Sequence, residues 1–298
     1  MTTPEVHMRR RWIGRAARTG TGGATEYLLV VRVGPRNVVP TVESSSTRHM
    51  MSRAGTSRRA WLAGALAGVT AAYLAPISRA VAQEAGTKIL ILGDSMIAGA
   101  FGLYLERELT RRYGYLVKRR GKSSSGLARP DFFDWLKEGA RQRERVSPDA
   151  VVVMFGGNDG QGLHMGKRNK PEWIRWNDAG WTGEYARRVS AFYDQVAPSG
   201  ERVFWLGMPV MRPQKLNRRV QVMNEIFREQ MHLRGPRAHF LDIWPVLAGP
   251  DGGYAERLRM GNKRIKVRAG DGVHLTRRGA HHVVAHVAPR IDGPLRGE

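Results

Sequence analysis

The sequence predicts a three-layer α/β/α domain built on a parallel sheet. Three observations carry this. Ile89–Leu92 and Ala150–Phe155 are unbroken apolar runs that stop at Gly93-Asp94-Ser95 and at Gly156-Gly157-Asn158-Asp159. Unbroken runs of this length suit strands buried on both faces, as parallel strands are. Between such runs lie stretches whose apolar residues recur at helical spacing, and a βαβα rhythm places helices on both faces of one sheet. The part of the chain with this rhythm, 83–298, is about 216 residues long, a size that suits one such domain.

The elements follow in order. Ile89–Leu92 is the first strand. Ile97, Phe101, Tyr104, Leu105, Leu109 and Tyr113 mark a helix over Ile97–Tyr113, closed by Gly114. Tyr115–Arg119 is a weaker second strand, and Lys122–Gly126 is a loop. A helix over Asp131–Val146 begins near Pro130, with Phe132, Phe133, Leu136 and Ala140 on one face. Ala150–Phe155 is the strongest strand. A long insertion over Gly160–Thr182, rich in Gly, Lys and Trp, precedes a helix over Gly183–Val196. Arg202–Leu206 is a strand, Leu216–Met231 carries helical spacing, and His239–Ile243 is the fifth strand. Tyr254–Arg268 reads as a hairpin turning at Gly261-Asn262. Ala280, Val283, Val284 and Val287 mark a last short helix, ended by Pro289. The chain has no internal repeat.

The N-terminal segments read differently. Residues 1–50, with mixed composition, a Gly/Thr cluster and a Ser run, read either as an extension ahead of a true start at Met50 or Met51 or as a disordered leader. Residues 51–82 read as a signal peptide. Ser57-Arg58-Arg59-Ala60-Trp61-Leu62 resembles the twin-arginine consensus, a weakly apolar segment follows, and Ala80-Val81-Ala82 is a small-x-small cleavage site. The segment is too short and too diluted by Gly and Pro for a membrane span. The expectation is a periplasmic or secreted protein, carried by the twin-arginine export machinery and cut near Ala82/Gln83.

Net charge is +23, yet residues 83–298 hold 37 Lys and Arg against 23 Asp and Glu, scattered along the chain. There is no zinc-finger spacing and no RNA-binding aromatic signature, so nucleic acid is not expected. A solvated basic surface, or attraction to an anionic cell-envelope polymer, fits better. The absence of cysteine excludes disulfides, thiolate metal sites and a Cys nucleophile. His281, His282 and His286 lack an acidic or Cys partner at ligand spacing, so no metal and no cofactor is expected.

Four loops should meet at the carboxyl edge of the sheet, where open α/β sheets bind ligands. They carry Ser95, Gly126, Asn158 and the Asp271–His274 turn. A serine hydroxyl needs a base to become a nucleophile. His274 is a candidate, and Asp271 three residues earlier can hold its other ring nitrogen. The backbone N–H groups of Ser95 and Gly126 and the amide of Asn158 can serve a developing oxyanion. Taken alone, Gly93-Asp94-Ser95 is also a turn with a helix N-cap, and Asp94 and Asp159 read as residues that bond loop backbone.

GDSM at Gly93–Met96, Gly126, GGND at Gly156–Asp159 and DGVH at Asp271–His274 resemble, in the right order, the four blocks of the SGNH hydrolase superfamily, the GDSL-like lipases and esterases. The likeness spans Lys88–His286. Met96 stands in place of the usual Leu, and Gly121 rivals Gly126 for the glycine block. The resemblance implies a flavodoxin-like α/β/α sandwich with a five-stranded parallel sheet. It implies Ser95 as nucleophile, His274 as base, Asp271 as its orienting partner, and Ser95, Gly126 and Asn158 as oxyanion hole. The expected activity is hydrolysis of short acyl esters, including O-acetyl groups on an envelope or extracellular polysaccharide. The alternatives are acyl transfer onto a glycan by the same fold and a non-catalytic glycan-binding module. Trp173, Trp176 and Trp181 in the insertion either stack on sugar rings or pin the loop to the sheet. Arg268 either touches substrate or closes the hairpin.

Overall fold

The computed structural model describes residues 86–298. The expected extension over 1–50, the signal peptide over 51–82 and its cleavage point lie outside the described residues.

Five parallel strands form the central sheet: β1 (Lys88–Gly93), β2 (Leu116–Gly121), β3 (Ala150–Met154), β6 (Arg202–Leu206) and β7 (Ala238–Leu241), in the order β2-β1-β3-β6-β7. Ile89–Leu92, all of β3 and Val203–Leu206 are fully buried. These strands are covered on both sides, which is why they read as unbroken apolar runs. β2, at one edge, alternates, and Leu116 there is exposed.

The first predicted helix is two pieces, α1 (Ser95–Ala98) and α2 (Ala100–Arg111). The chain turns extended at Gly99, whose N–H closes the first turn onto the Ser95 carbonyl. The break starts helical structure at Ser95 itself. The next helix, α3 (Trp135–Val146), begins later than expected because the Asp134 carboxylate caps it through the Lys137 N–H. α4 (Trp181–Val196) and α5 (Gln214–Leu233) follow, and a single turn, α6 (Trp244–Leu247), carries no sequence signal of its own.

The insertion holds a two-residue hairpin, β4 (Leu163–His164) with β5 (Trp173–Ile174). The predicted hairpin is β8 (Arg257–Met260) with β9 (Lys263–Lys266). The last helix, α7 (Arg277–Arg296), runs straight through Pro289 and Pro294. Proline removes a helix hydrogen bond. Here the apolar face continues past it with Ala288 and Ile291, both fully buried, and the Tyr115 hydroxyl donates to Asp292. That packing outweighs the lost bond.

Helices α2 and α7 pack together on one side of the sheet, while α3, α4 and α5 lie side by side on the other. On that second side Trp135, Phe155, Phe192, Trp205 and Phe227 form a contiguous aromatic core with neighbouring ring centroids 4.9–6.5 Å apart. Each ring of this kind removes a large apolar surface from water. Among the described residues, no helix is long and apolar enough to cross a membrane.

Candidate active site

The strand order reverses direction between β1 and β3, and the crevice of an α/β sheet opens at such a point. Gly93 and Met154 end these strands side by side, and the Asp94 N–H donates to the Met154 carbonyl at 3.2 Å. The turn carrying Ser95 therefore rises next to the turn carrying Asn158.

Ser95 Oγ lies 2.8 Å from His274 Nε2, and His274 Nδ1 lies 2.6 Å from Asp271 Oδ2. The second Asp271 oxygen accepts the backbone N–H groups of Val273 (2.8 Å) and His274 (2.9 Å). Burial works against the Asp271 charge, but the His274 ring and these two N–H groups outweigh it and hold the carboxyl at about 2. It is therefore ionised at neutral pH, as an acceptor for an imidazole N–H must be.

The oxyanion candidates stand on loops bonded to one another. The Asn158 side-chain amide donates to the Ser125 carbonyl at 3.0 Å, which leaves its second N–H for a ligand. Among the described residues, the backbone N–H groups of Ser95 and Gly126 have no protein partner. Gly126 is the glycine beside Asn158, whereas Gly121 ends β2 against Ala98. A Cβ on Gly126 would fall 2.0 Å from Asp159 Oδ1, so any side chain there must displace that carboxylate.

Buried charges hold these loops. Asp94, fully buried, accepts the Met96 N–H at 2.9 Å and the Gly157 N–H at 3.2 Å, tying the serine turn to the asparagine turn. Burial pushes its carboxyl up to about 7 against the pull of those N–H groups, and the nearby Asp159 adds to the rise. Asp159 accepts the Leu127 and Ala128 N–H groups (3.0 and 2.9 Å) and the Tyr185 hydroxyl (2.7 Å). Burial raises its carboxyl too, opposed by those donors and by Arg188.

Arg188 donates to the carbonyls of Leu127, Ala128 and His164, and so fixes the Gly126 loop to the insertion. Arg268 has no exposed surface. It donates to the carbonyls of Val210 (2.7 Å), Gly272 (3.1 Å) and Val273 (2.8 Å), and burial lowers its guanidinium to about 10. It stands behind the Asp271–His274 turn rather than facing a ligand. Arg188 and Tyr185 carry no sequence signal of a role here, since on α4 they read as one more cation and one more core aromatic.

The three tryptophans of the insertion also differ from one another. Trp181 is buried, stacked on Tyr185, and donates its indole N–H to the Gln161 carbonyl. Trp176 lies between Trp181 and Arg219. Both pin the loop. Trp173 alone is exposed, at 37%, with Arg129 over its ring.

Beside Ser95 a cleft of about 190 Å³ is lined by Met96, Gly99, Ala100, Phe101, His274 and Leu275. A larger cavity of about 550 Å³ sits at the far end of β2, among Lys88, Tyr115 and Leu116, away from this chemistry. His282 and His286 bond the backbone carbonyls of Val246 and His282. Among the described residues, no cluster of His, Asp and Glu has the form of a metal site.

The flavodoxin-like sheet brings Ser95, the Gly126 loop, Asn158 and the Asp271–His274 turn together at its carboxyl edge, the arrangement the four sequence blocks predict. The chain belongs to the DUF459 family, described as "Protein of unknown function", whose model matches residues 88–290. Three solved structures are similar in fold. One is a GDSL-like lipase from Bacteroides thetaiotaomicron, with TM-score 0.47 and 15% identity over 70% of this chain and 89% of that one. Another is a catalytic mutant of an acetylxylan esterase from Geobacillus stearothermophilus, with TM-score 0.47 and 16% identity over 69% and 94%. A third is a member of the lipolytic G-D-S-L family from Veillonella parvula, with TM-score 0.47 and 13% identity over 68% and 97%. No curated protein matches the sequence.

Proposed function

We propose that this chain is an exported serine esterase that removes short acyl groups, including O-acetyl groups, from a glycan of the cell envelope or extracellular space. The observation that carries the reading is the unbroken hydrogen-bonded path from Ser95 Oγ through His274 to Asp271.

In this reading Ser95 Oγ attacks the ester carbonyl carbon while His274 Nε2 takes the hydroxyl proton. The carbonyl oxygen gains the negative charge and meets the Ser95 and Gly126 N–H groups and the free N–H of Asn158. The tetrahedral centre then collapses. The C–O bond to the alcohol breaks, and His274 gives its proton to the departing oxygen. Water, losing a proton to His274, attacks the acyl carbon; the bond to Ser95 Oγ then breaks, His274 returns the proton to Oγ, and the acid leaves. Asp271 keeps its charge throughout and fixes the imidazole tautomer. No step calls for a metal or a cofactor.

The cleft beside Ser95, smaller than pockets that hold drug-sized ligands, supports a short acyl group. His274 and Asp271 are 42% and 47% exposed, so water reaches the acyl-enzyme, which supports hydrolysis over transfer. Exposed Trp173, beside the loop that carries Gly126, supports a glycan as the alcohol half. Export rests on the twin-arginine-like segment over 51–82.

The test is turnover of a chromogenic acetyl ester by the wild-type chain beside Ser95→Ala and His274→Ala. Both variants are expected to fall to background, and equal turnover by Ser95→Ala would remove the site from consideration. Adding an unacetylated glycan separates the alternatives: acyl transfer faster than hydrolysis would make the chain a transferase. For export, the exported protein should begin near Gln83, and a distant N-terminus would count against the signal-peptide reading.

A further inference from the structure

The hairpin β8–β9 carries a charge pattern that folding alone disfavours. In its register Arg257 lies opposite Lys266 and Arg259 opposite Arg264. Directly opposed residues share a face, so these four cations stand together on one side of the ribbon. Leu258, Met260 and Ile265 occupy the other side and pack against the core. Like charges placed directly opposite weaken a strand pair.

Elsewhere on this basic surface some arginines are paired, as Arg119 is with Glu106, Arg120 with Glu138, and Arg187 with Glu184, and among the described residues others, such as Arg107 and Arg111, are not. What sets the hairpin apart is that its cations stand directly opposite one another. On the hairpin only Lys266 has such a partner, Glu256 at 2.7 Å. Among the described residues, Arg257, Arg259 and Arg264 form no ion pair. The excess charge is therefore unbalanced within the chain.

Its position is specific. β9 runs directly through Val267 and Arg268 into the Asp271–His274 turn. Arg212 extends the cationic row to that turn, its backbone N–H donating to the Gly272 carbonyl at 3.1 Å and its guanidinium to the Gly270 carbonyl. Beside the hairpin is a cleft of about 480 Å³, lined in part by Asp251, Tyr254, Glu256, Arg257 and Arg264.

We propose that this face and cleft dock an anionic polysaccharide and lead it toward Ser95. Paired cations attract the carboxylate groups along such a chain through their charge. Asp251 and Glu256 in the cleft accept hydrogen bonds from sugar hydroxyls, and Tyr254 offers a ring. A lipid surface fits less well, because the hairpin's apolar side chains face the core and none of the large exposed apolar residues lies on it. A nucleic acid would meet no row of stacking aromatics. The docking itself is independent of the chemistry at Ser95, whereas delivery of an ester rests on the esterase reading.

The test is equilibrium binding of the full chain to polygalacturonate, with neutral dextran, phosphatidylglycerol vesicles and duplex DNA as the other arms. Wild type is expected to bind polygalacturonate more tightly than the other three, with an affinity that falls as salt rises. Arg259→Gln with Arg264→Gln should weaken it about tenfold or more, and Arg259→Lys with Arg264→Lys should keep it within about threefold. Removing two charges elsewhere, by Arg107→Gln with Arg111→Gln on α2, should leave the affinity within about twofold. The double glutamine hairpin should melt no lower than wild type, because it loses a repulsion. Equal losses from the hairpin and α2 variants would reduce the effect to net charge and overturn the proposal. So would tighter binding to vesicles, DNA or dextran, or a glutamine hairpin that melts well below wild type. Binding is read without turnover, so a chain that cleaves no ester can still pass, and an active esterase can still fail.

Discussion

Ser95, His274 and Asp271 acquire their chemistry from atoms a few ångströms away. The short contact between His274 Nδ1 and Asp271 is possible because the other Asp271 oxygen is locked by two backbone N–H groups. Asp271→Asn keeps the shape and removes the charge, and it permits the wrong imidazole tautomer. It should lower kcat by about 10⁴-fold with little change in melting, measured on a chromogenic acetyl ester; a loss under tenfold would remove Asp271 from the relay. Asp94 makes the opposite prediction about stability. Its folded value of about 7 lies above the unfolded value of about 3.9. Between them the folded chain keeps a proton that the unfolded chain has lost, so stability falls as pH rises from about 4 to about 7. Melting curves across that window should show wild type losing ground to Asp94→Asn as pH rises. A constant gap between the two would contradict the buried, proton-holding Asp94. Arg188 was not visible as a positioning residue in the sequence, and Arg268 was visible only as a choice between touching substrate and closing the hairpin. Their partners are backbone carbonyls, and a carbonyl has no residue type by which a sequence can announce it.

The strands and most helices follow from local pattern, and the departures follow from contacts that pattern does not contain. β1, β3 and β6 were legible because burial on both faces demands an unbroken apolar run. The GDS and GGND turns were legible for the related reason that each ends such a strand, whereas DGVH was legible only as a motif after the hairpin. The break at Gly99 was not, since helical spacing continues across it. Nor was the continuation of α7 through Pro289, where local propensity says stop and tertiary packing says continue. That difference is measurable. Ile291 is fully buried beyond the proline, so Ile291→Ala should cost about 2–5 kcal/mol in chemical denaturation. A cost under about 0.5 kcal/mol would mean that the helix ends where the sequence suggests. The Gly126 loop is the most tightly determined element of the site, with Asp159 inside it and Arg188 beneath it. Gly126→Ala must displace Asp159, and kcat should fall about a hundredfold or more as the oxyanion donors move. Unchanged kcat would show that this N–H takes no part.

At the scale of the whole molecule, the sheet makes one place out of four distant stretches of sequence. Ser95 and His274 are 179 residues apart in the chain and hydrogen-bonded in space. The buried ionisable groups, Asp94, Asp159, Arg188 and Arg268, bond loops at that place, and the aromatic core lies behind it. Charge is distributed to the same effect, with the unpaired cations of β8–β9 on the stem of the His274 turn. The claim on which the rest depends is that this convergence makes Ser95 a nucleophile. Its most direct test is labelling of the folded chain with a fluorophosphonate, followed by mass mapping of the adduct. One adduct per chain is expected, on Ser95, abolished by Ser95→Ala and strongly slowed by His274→Ala. A label that persists in Ser95→Ala, or a wild-type chain that takes none, would contradict it.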